Sequence, residues 1–300
     1  MDPYRVFDLT LARRRALTPS LTRFTFSGAE AEQVRSFAPD QRVKLFFPTG
    51  DAQAPLLGER VRAAGSDWYD AYRAIPDATR PPVRTYTIRA LRSEVGEVDI
   101  DFVLHGDHGP ASRWAARAEA GAQLSMAAPH AQVDGPRAGF EWKPPHAVRQ
   151  VLVLADETAV PAALGVLEQM SAWPQRPRVR FLAETPLAED RMETPDWVES
   201  RWIARTSGYG DDLIAAVRDL DLNAMAASVA DDGEDAIAGV DIDSEILWDT
   251  DVDQEAAVYV WVAGETRAVR DIRLHLTRER GLPKRSVACM GYWRVGREGL

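Results

Sequence analysis

A chain of 300 residues is long for one hydrophobic core, so two domains are expected. Its 45% hydrophobic and 27% charged residues describe an ordinary globular protein, and no apolar run approaches the roughly 18 residues of a membrane span. The net charge of −10 is local, because residues 231–255 hold eleven acids and no Lys or Arg.

The first fifteen residues, MDPYRVFDLTLARRR, lack an apolar core, so no secretory leader is expected. FDLTLARRRAL, LTRFTFS, VKLFFP, VRTYTIRA, EVDIDFVLH and QLSMAA are short β-branched or aromatic runs punctuated by Pro, Gly, Asp and Ser. Six such strands and one helical stretch, ASRWAARAEA, predict a six-stranded antiparallel β-barrel over residues 1–135. Residues 49–82, carrying Trp68, Tyr69 and Tyr72, read as a long loop.

GPRAGFEWKPPHAV (136–149) is a Pro-rich linker candidate. VLVLA (151–155) then reads as a parallel strand buried on both faces. Helical TAVPAALGVLEQM, strands VRFLAE, RWIAR and VYVWVAGE, and helices DDLIAAVRDL and TRAVRDIRLHLTRER continue the alternation. Residues 150–300 are therefore expected to form a doubly wound α/β domain, closed by SVACMGYWRVG. An acidic insertion at about 221–256 reads as a solvated loop. Its D-x-D spacing resembles a calcium loop but lacks the glycine and closing glutamate of the EF-hand.

Three stretches carry chemistry. In RTYTIR, period two puts Arg84, Tyr86 and Ile88 on one face and Thr85, Thr87 and Arg89 on the other. A ring, a hydroxyl and flanking arginines can hold a planar, phosphate-bearing ligand, or can simply be a barrel strand. In DFVLHGDHGPASRWA a strand ends at Gly106 and a helix follows, so backbone N–H groups, the Ser112 hydroxyl and His105 can cradle a phosphate. His105, Asp107 and His108 leave a metal site as the alternative, although a strand sends the two histidines to opposite faces. Cys289 is the only cysteine, which excludes an internal disulfide or thiolate cluster and reads as a core residue of a cytoplasmic protein.

RTYTIR, DFVLHGDHGPASRWA, ADETAVPA (155–162) and YVWVAGE with GYWRVG together resemble the siderophore-interacting proteins, which are ferric-siderophore reductases related to ferredoxin-reductase flavoproteins. The resemblance spans about residues 4–297 outside the acidic insertion. It implies FAD held by Arg84 on the phosphate side, Tyr86 stacked on the isoalloxazine and Thr87 near its N5. It also implies a pyrophosphate cradle of His105, Gly109, Pro110, Ala111 and Ser112, with Trp114 beside it.

ADETAVPA stands in place of a Gly-rich turn at the end of the first α/β strand, where such domains bind ligands. Asp156 and Thr158 are assigned to the flavin edge, and Thr158 also to the nicotinamide; either can instead cap a helix. Glu184 would bond a ribose hydroxyl and repel a 2′-phosphate, while Arg205 argues the other way; the balance is read as NADH over NADPH. Gly264, Glu265, Tyr292 and Trp293 are assigned to the same nucleotide.

Lys44 and Arg42 are cationic candidates for an anionic ferric chelate. The family often has GPRGS where this chain has APHAQ, so His130 replaces an arginine in the substrate set. The expected activity passes hydride from NAD(P)H to FAD and single electrons to siderophore-bound Fe(III), with no metal site and no catalytic acid or base. A ferric siderophore is the expected partner of a monomer that binds neither nucleic acid nor, stably, a membrane. A general flavin, quinone or ferredoxin reductase and a non-enzymatic siderophore binder are the alternatives.

Overall fold

The computed structural model describes residues 4–48, 56–65, 67–104, 109–132, 138–222 and 246–297. The chain divides into two compact units, Met1–Phe140 and Glu141–Glu298. Among the described residues no helix is long and apolar enough to cross a membrane. Most of the acidic insertion, residues 223–245, lies outside the described residues.

The first unit is one antiparallel sheet of β1 (Tyr4–Ala16), β2 (Leu21–Ser27), β3 (Arg42–Phe46), β4 (Val83–Thr87), β5 (Ala90–Arg92), β6 (Glu97–Val103) and β7 (Gln123–Pro129). Their order is β4-β3-β7-β1-β2-β6-β5. This corrects the expected six-stranded barrel: VRTYTIRA is two strands, and the sheet curls without closing. The break falls at Ile88 and Arg89. Ile88 N donates to Gln41 O beside β3, whereas Arg89 N donates to Asp99 O on β6. One chain segment thus leaves one edge of the sheet and joins the other, which draws the two edges together.

Alternation along the strands sends Phe7, Leu9, Phe24, Phe26, Ile100 and Phe102 into one core. Helix α3 (Gly109–Arg117) covers its open end. The stretch expected to be a loop contains α1 (Leu57–Ala64) and α2 (Trp68–Ala74). Gly65, at φ 61°, ends α1, and the Asp67 carboxylate caps α2 by accepting from Tyr69 N. Trp68 and Tyr72 lie on Phe46, with ring centroids 5.8 and 5.1 Å away. Gly58 N (3.0 Å) and Arg62 (2.8 Å) donate to Asp8 of β1, which fastens α1 to the sheet.

The second unit is a six-stranded sheet of β8 (Gln150–Asp156), β9 (Arg178–Thr185), β10 (Glu199–Ala204), β11 (Trp248–Asp249), β12 (Val258–Glu265) and β13 (Val287–Trp293). Its order is β10-β9-β8-β12-β13-β11, parallel except for β11. Val151 and Val153 enter the core on one face, shared with α4 (Val160–Ser171). Leu152 and Leu154 enter the other, shared with α5 (Asp211–Arg218) and α6 (Thr266–Leu274). Two covered faces explain the uninterrupted apolar run. Cys289 is fully buried in the second core, as expected.

The outer face of β2, β6 and β5 carries a ladder of charges. Arg13 and Arg92 both donate to Glu97, Arg92 and Thr25 to Asp99, and Arg23 to Asp101. Hydrogen bonds from Arg13 and then Arg92 hold Glu97 down from the usual 4.5 to about 2. Burial opposes the same effect at Asp99, but Arg92 and Thr25 keep it below its ordinary value. Both folded pKa values lie below the unfolded ones, so this stabilisation is complete above about pH 4.5 and is lost as pH falls toward about 2. Thermal unfolding followed down this range should show a falling midpoint for the first unit. Arg92→Ala should lower the midpoint near neutrality and flatten the acid limb.

Candidate functional site

In the first unit the site residues are sorted by strand period. Arg42 pairs with Thr87 and Lys44 with Thr85, so these four share one sheet face. Lys44 Nζ donates to Thr85 Oγ1 at 2.8 Å. Burial, and secondarily Arg42, lowers the Lys44 pKa. Tyr86 points the other way and lies 4.3 Å from the Phe102 ring between centroids. Burial raises its phenol above the ordinary value against the pull of Arg84. Arg84 is half-buried and donates to Val83 O at 2.9 Å. Among the described residues β4 pairs with β3 alone and stands at the end of the strand order.

Helix α3 begins at Gly109, whose φ of 85° is the left-handed conformation glycine favours. Among the described residues a Cβ there would meet nothing within 4 Å. Pro110 follows, and Ala111 and Ser112 are buried in the first turn. Trp114 is half-buried and packs on the aromatic core. Its ring lies 5.7 Å from Phe47, 5.9 Å from Phe24 and 6.0 Å from Phe26. His105, Asp107 and His108 lie outside the described residues. Among the described residues no cluster of His, Cys, Asp and Glu could hold a metal. His130 is buried, pairs with Val34 in an isolated bridge and accepts from Gln132 N through Nδ1. It directly follows the end of β7.

In the second unit, acids close the carboxyl edge of the sheet. Buried Asp156, ending β8, accepts from Thr158 N (2.9 Å), Thr158 Oγ1 (2.6 Å) and Ala159 N (3.3 Å) through Oδ1. Its Oδ2 accepts from Glu265 N (2.8 Å) and Trp293 Nε1 (2.6 Å). Burial raises its pKa, and hydrogen bonds from Thr158, Trp293 and Glu265 oppose that rise. Asp156 thus joins the ends of β8, β12 and β13, and the Thr158 hydroxyl hydrogen is committed to it. Gly264, at φ 151°, is required because a Cβ would sit 2.6 Å from Asp156 Oδ2. Glu265 is the N-cap of α6, accepting from Ala268 N at 3.0 Å.

Glu184 corrects the expected ribose contact. It is fully buried at the end of β9 and accepts from Gly210 N and Leu213 N, both 2.9 Å, at the start of α5. Arg205 Nε donates to Glu184 at 2.7 Å, and Arg205 Nη2 pairs with Glu157. The reason for preferring NADH therefore falls away, since Glu184 is engaged within the fold. Tyr209 lies over the Arg205 guanidinium at 4.3 Å, and Trp293 meets Tyr209 edge-on at 4.9 Å. Tyr292, on the opposite face of β13, stacks on Trp248 at 6.0 Å.

Sequence reasoning left Glu157 without a role and missed Tyr209. The available signal for Tyr209 was its place in SGYGDD, the loop that follows a strand on the ligand-binding edge. Asp156→Ala would strand five donors, the Trp293 indole among them. It should cost about 3 kcal/mol or more in a denaturant titration and free the 293–297 tail to proteolysis.

Two family models match the chain: a siderophore-interacting FAD-binding domain over residues 10–133 and a siderophore-interacting protein domain over residues 148–296. A relative from Mycobacterium tuberculosis is 30% identical over 98% of this chain and 92% of its own length. The ferric vibriobactin reductase ViuB of Vibrio cholerae is 28% identical over 77% of this chain and 80% of its own. The NADPH-dependent ferric-chelate reductase of Escherichia coli is 26% identical over 96% and 93%. A siderophore utilization protein from T. fusca superposes with a TM-score of 0.69 at 26% identity, covering 100% of this chain and 97% of that one. A ferredoxin reductase of carbazole 1,9a-dioxygenase, 12% identical with a TM-score of 0.61, shares the fold. The chain belongs to the siderophore-interacting protein family, on a ferredoxin-reductase-like fold.

Proposed function

We propose that the chain is a ferric-siderophore reductase that takes reducing equivalents from a nicotinamide nucleotide through FAD. The observation that carries the reading lies within the matched FAD-binding region. There a left-handed Gly109 opens a small-residue helix start, and β4, which stands at the end of the strand order, carries Tyr86 and Thr87. These residues fit the group: amides, Ser112 and Arg84 for the phosphates, and an aromatic and a hydroxyl for the ring system. Bound FAD supplies the conversion of a two-electron donor to one-electron reduction of Fe(III).

The chain's own residues then orient and attract. Tyr86 is braced by Phe102, so its ring is held before a ligand arrives. Arg42 and Lys44 share a face and carry positive charge suited to an anionic ferric chelate. Relatives named as ferric vibriobactin reductase and ferric-chelate reductase support the substrate class.

The purified protein should carry a flavin spectrum that NADH or NADPH bleaches anaerobically, and a ferric siderophore should restore it as Fe(II) appears. Bleaching by neither nucleotide would sink the reading. Faster transfer to quinone, free flavin or ferredoxin would point to a broader reductase, and a flavin-free protein to a binding module. Tyr86→Ala should weaken FAD binding about tenfold. Lys44→Ala should raise KM for anionic chelates about 3-fold to 10-fold while leaving nucleotide-driven bleaching intact.

A further inference from the structure

The parallel sheet has its topological switch between β8 and β12, where an α/β domain ordinarily receives a nucleotide phosphate on helix N-termini. Here each helix start on that edge faces a buried acid of its own chain. Asp156 takes the amides leading into α4, Glu184 those of α5 and Glu265 that of α6. A phosphate approaching these amides meets a carboxylate already in place.

Arg205 is a cation on this edge, and its side chain is 13% exposed. Its Nε is held by Glu184, its Nη2 by Glu157, and its face by Tyr209. The two glutamates are not equivalent. Glu184 keeps two backbone donors if Arg205 turns away, whereas the side-chain donor of Glu157 is Arg205 itself. Arg267 also lies on this edge, but its partner Asp211 is at the surface and stays in water when the pair opens.

We propose that Arg205 is the seat for a phosphate of the nicotinamide nucleotide, that the Glu157 carboxylate fills this seat when no nucleotide is bound, and that the exchange places a proton on Glu157. The inference rests on the nucleotide-reducing function proposed above. Asp156 adjoins Glu157 in the chain, Arg205 and Glu184 face it from the ends of β10 and β9, and Tyr209, Glu265 and Arg267 complete the charged and titratable edge. Burial, then Asp156, lifts Glu157 to about 7 even with Arg205 opposing. Without Arg205 the carboxyl rises further and takes up a proton from water, so charge is exchanged and no buried anion is left unpaired. Nucleotide affinity therefore strengthens as pH falls, by up to about tenfold per unit.

The test is calorimetric titration of the FAD-loaded full chain with NADP+ and with NAD+ near about pH 7.5, in two buffers of different ionisation heat. Uptake of about one proton per bound nucleotide is expected. Uptake with NADP+ alone assigns the 2′-phosphate, and uptake with both assigns the pyrophosphate. Glu157→Gln should bind without uptake and about 3-fold to 10-fold more tightly at about pH 8. Arg205→Lys, which keeps the charge but loses the fork, should bind more weakly and retain the uptake. Wild-type binding without proton uptake, or unchanged uptake in Glu157→Gln, overturns the exchange while leaving the reductase reading standing. Undetectable binding of both nucleotides by wild type and Glu157→Gln overturns the exchange and the nucleotide-dependent reading together.

Discussion

The Asp156 carboxylate is the constraint on which the second unit turns. It ends β8, accepts from the amides before α4, takes the Glu265 amide at the end of β12 and receives the Trp293 indole from β13. A parallel sheet leaves its strand ends pointing at helix starts, and those amides need acceptors once water is excluded. Asp156 meets that need with one side chain, at the cost of burying a charge. Gly264 follows from it, because the close approach of β12 to the carboxylate leaves no room for a Cβ.

The same solution recurs at Glu184 and Glu265, so the carboxyl edge of the sheet is rich in the chain's own anions. Arg205 balances Glu184 and Glu157, and Tyr209, met edge-on by Trp293, lies over it. A glycine-rich turn would present bare amides to a ligand; ADETAVPA presents amides already in use.

In the first unit the organising event is the break after Thr87. It ends β4 one residue past Tyr86 and carries the chain to the opposite edge of the sheet. The curl leaves an aromatic interior of Phe24, Phe47, Phe102 and Trp114 against which Tyr86 rests. Strand alternation then separates chemistry by face, with the cations Arg42 and Lys44 opposite the Tyr86 ring.

Much of this is written locally and was legible. Period-two runs marked the strands, the unbroken VLVLA marked a strand buried on both faces, and the motif order carried the family. The α1–α2 hairpin was hidden because Gly, Pro and Asp mask helices whose stability comes from Asp8 and Phe46 on the sheet. The seventh strand was hidden because a change of pairing partner leaves no mark on hydrophobic period. The sequence by itself determined which residues carry charge and rings and which strand edge they occupy. Only the tertiary structure decided that the Glu184 carboxylate, the Thr158 hydroxyl hydrogen and His130 Nδ1 are engaged within the fold. Hydrogen bonds between residues as distant as Asp156 and Trp293 consume side chains that a local reading leaves free.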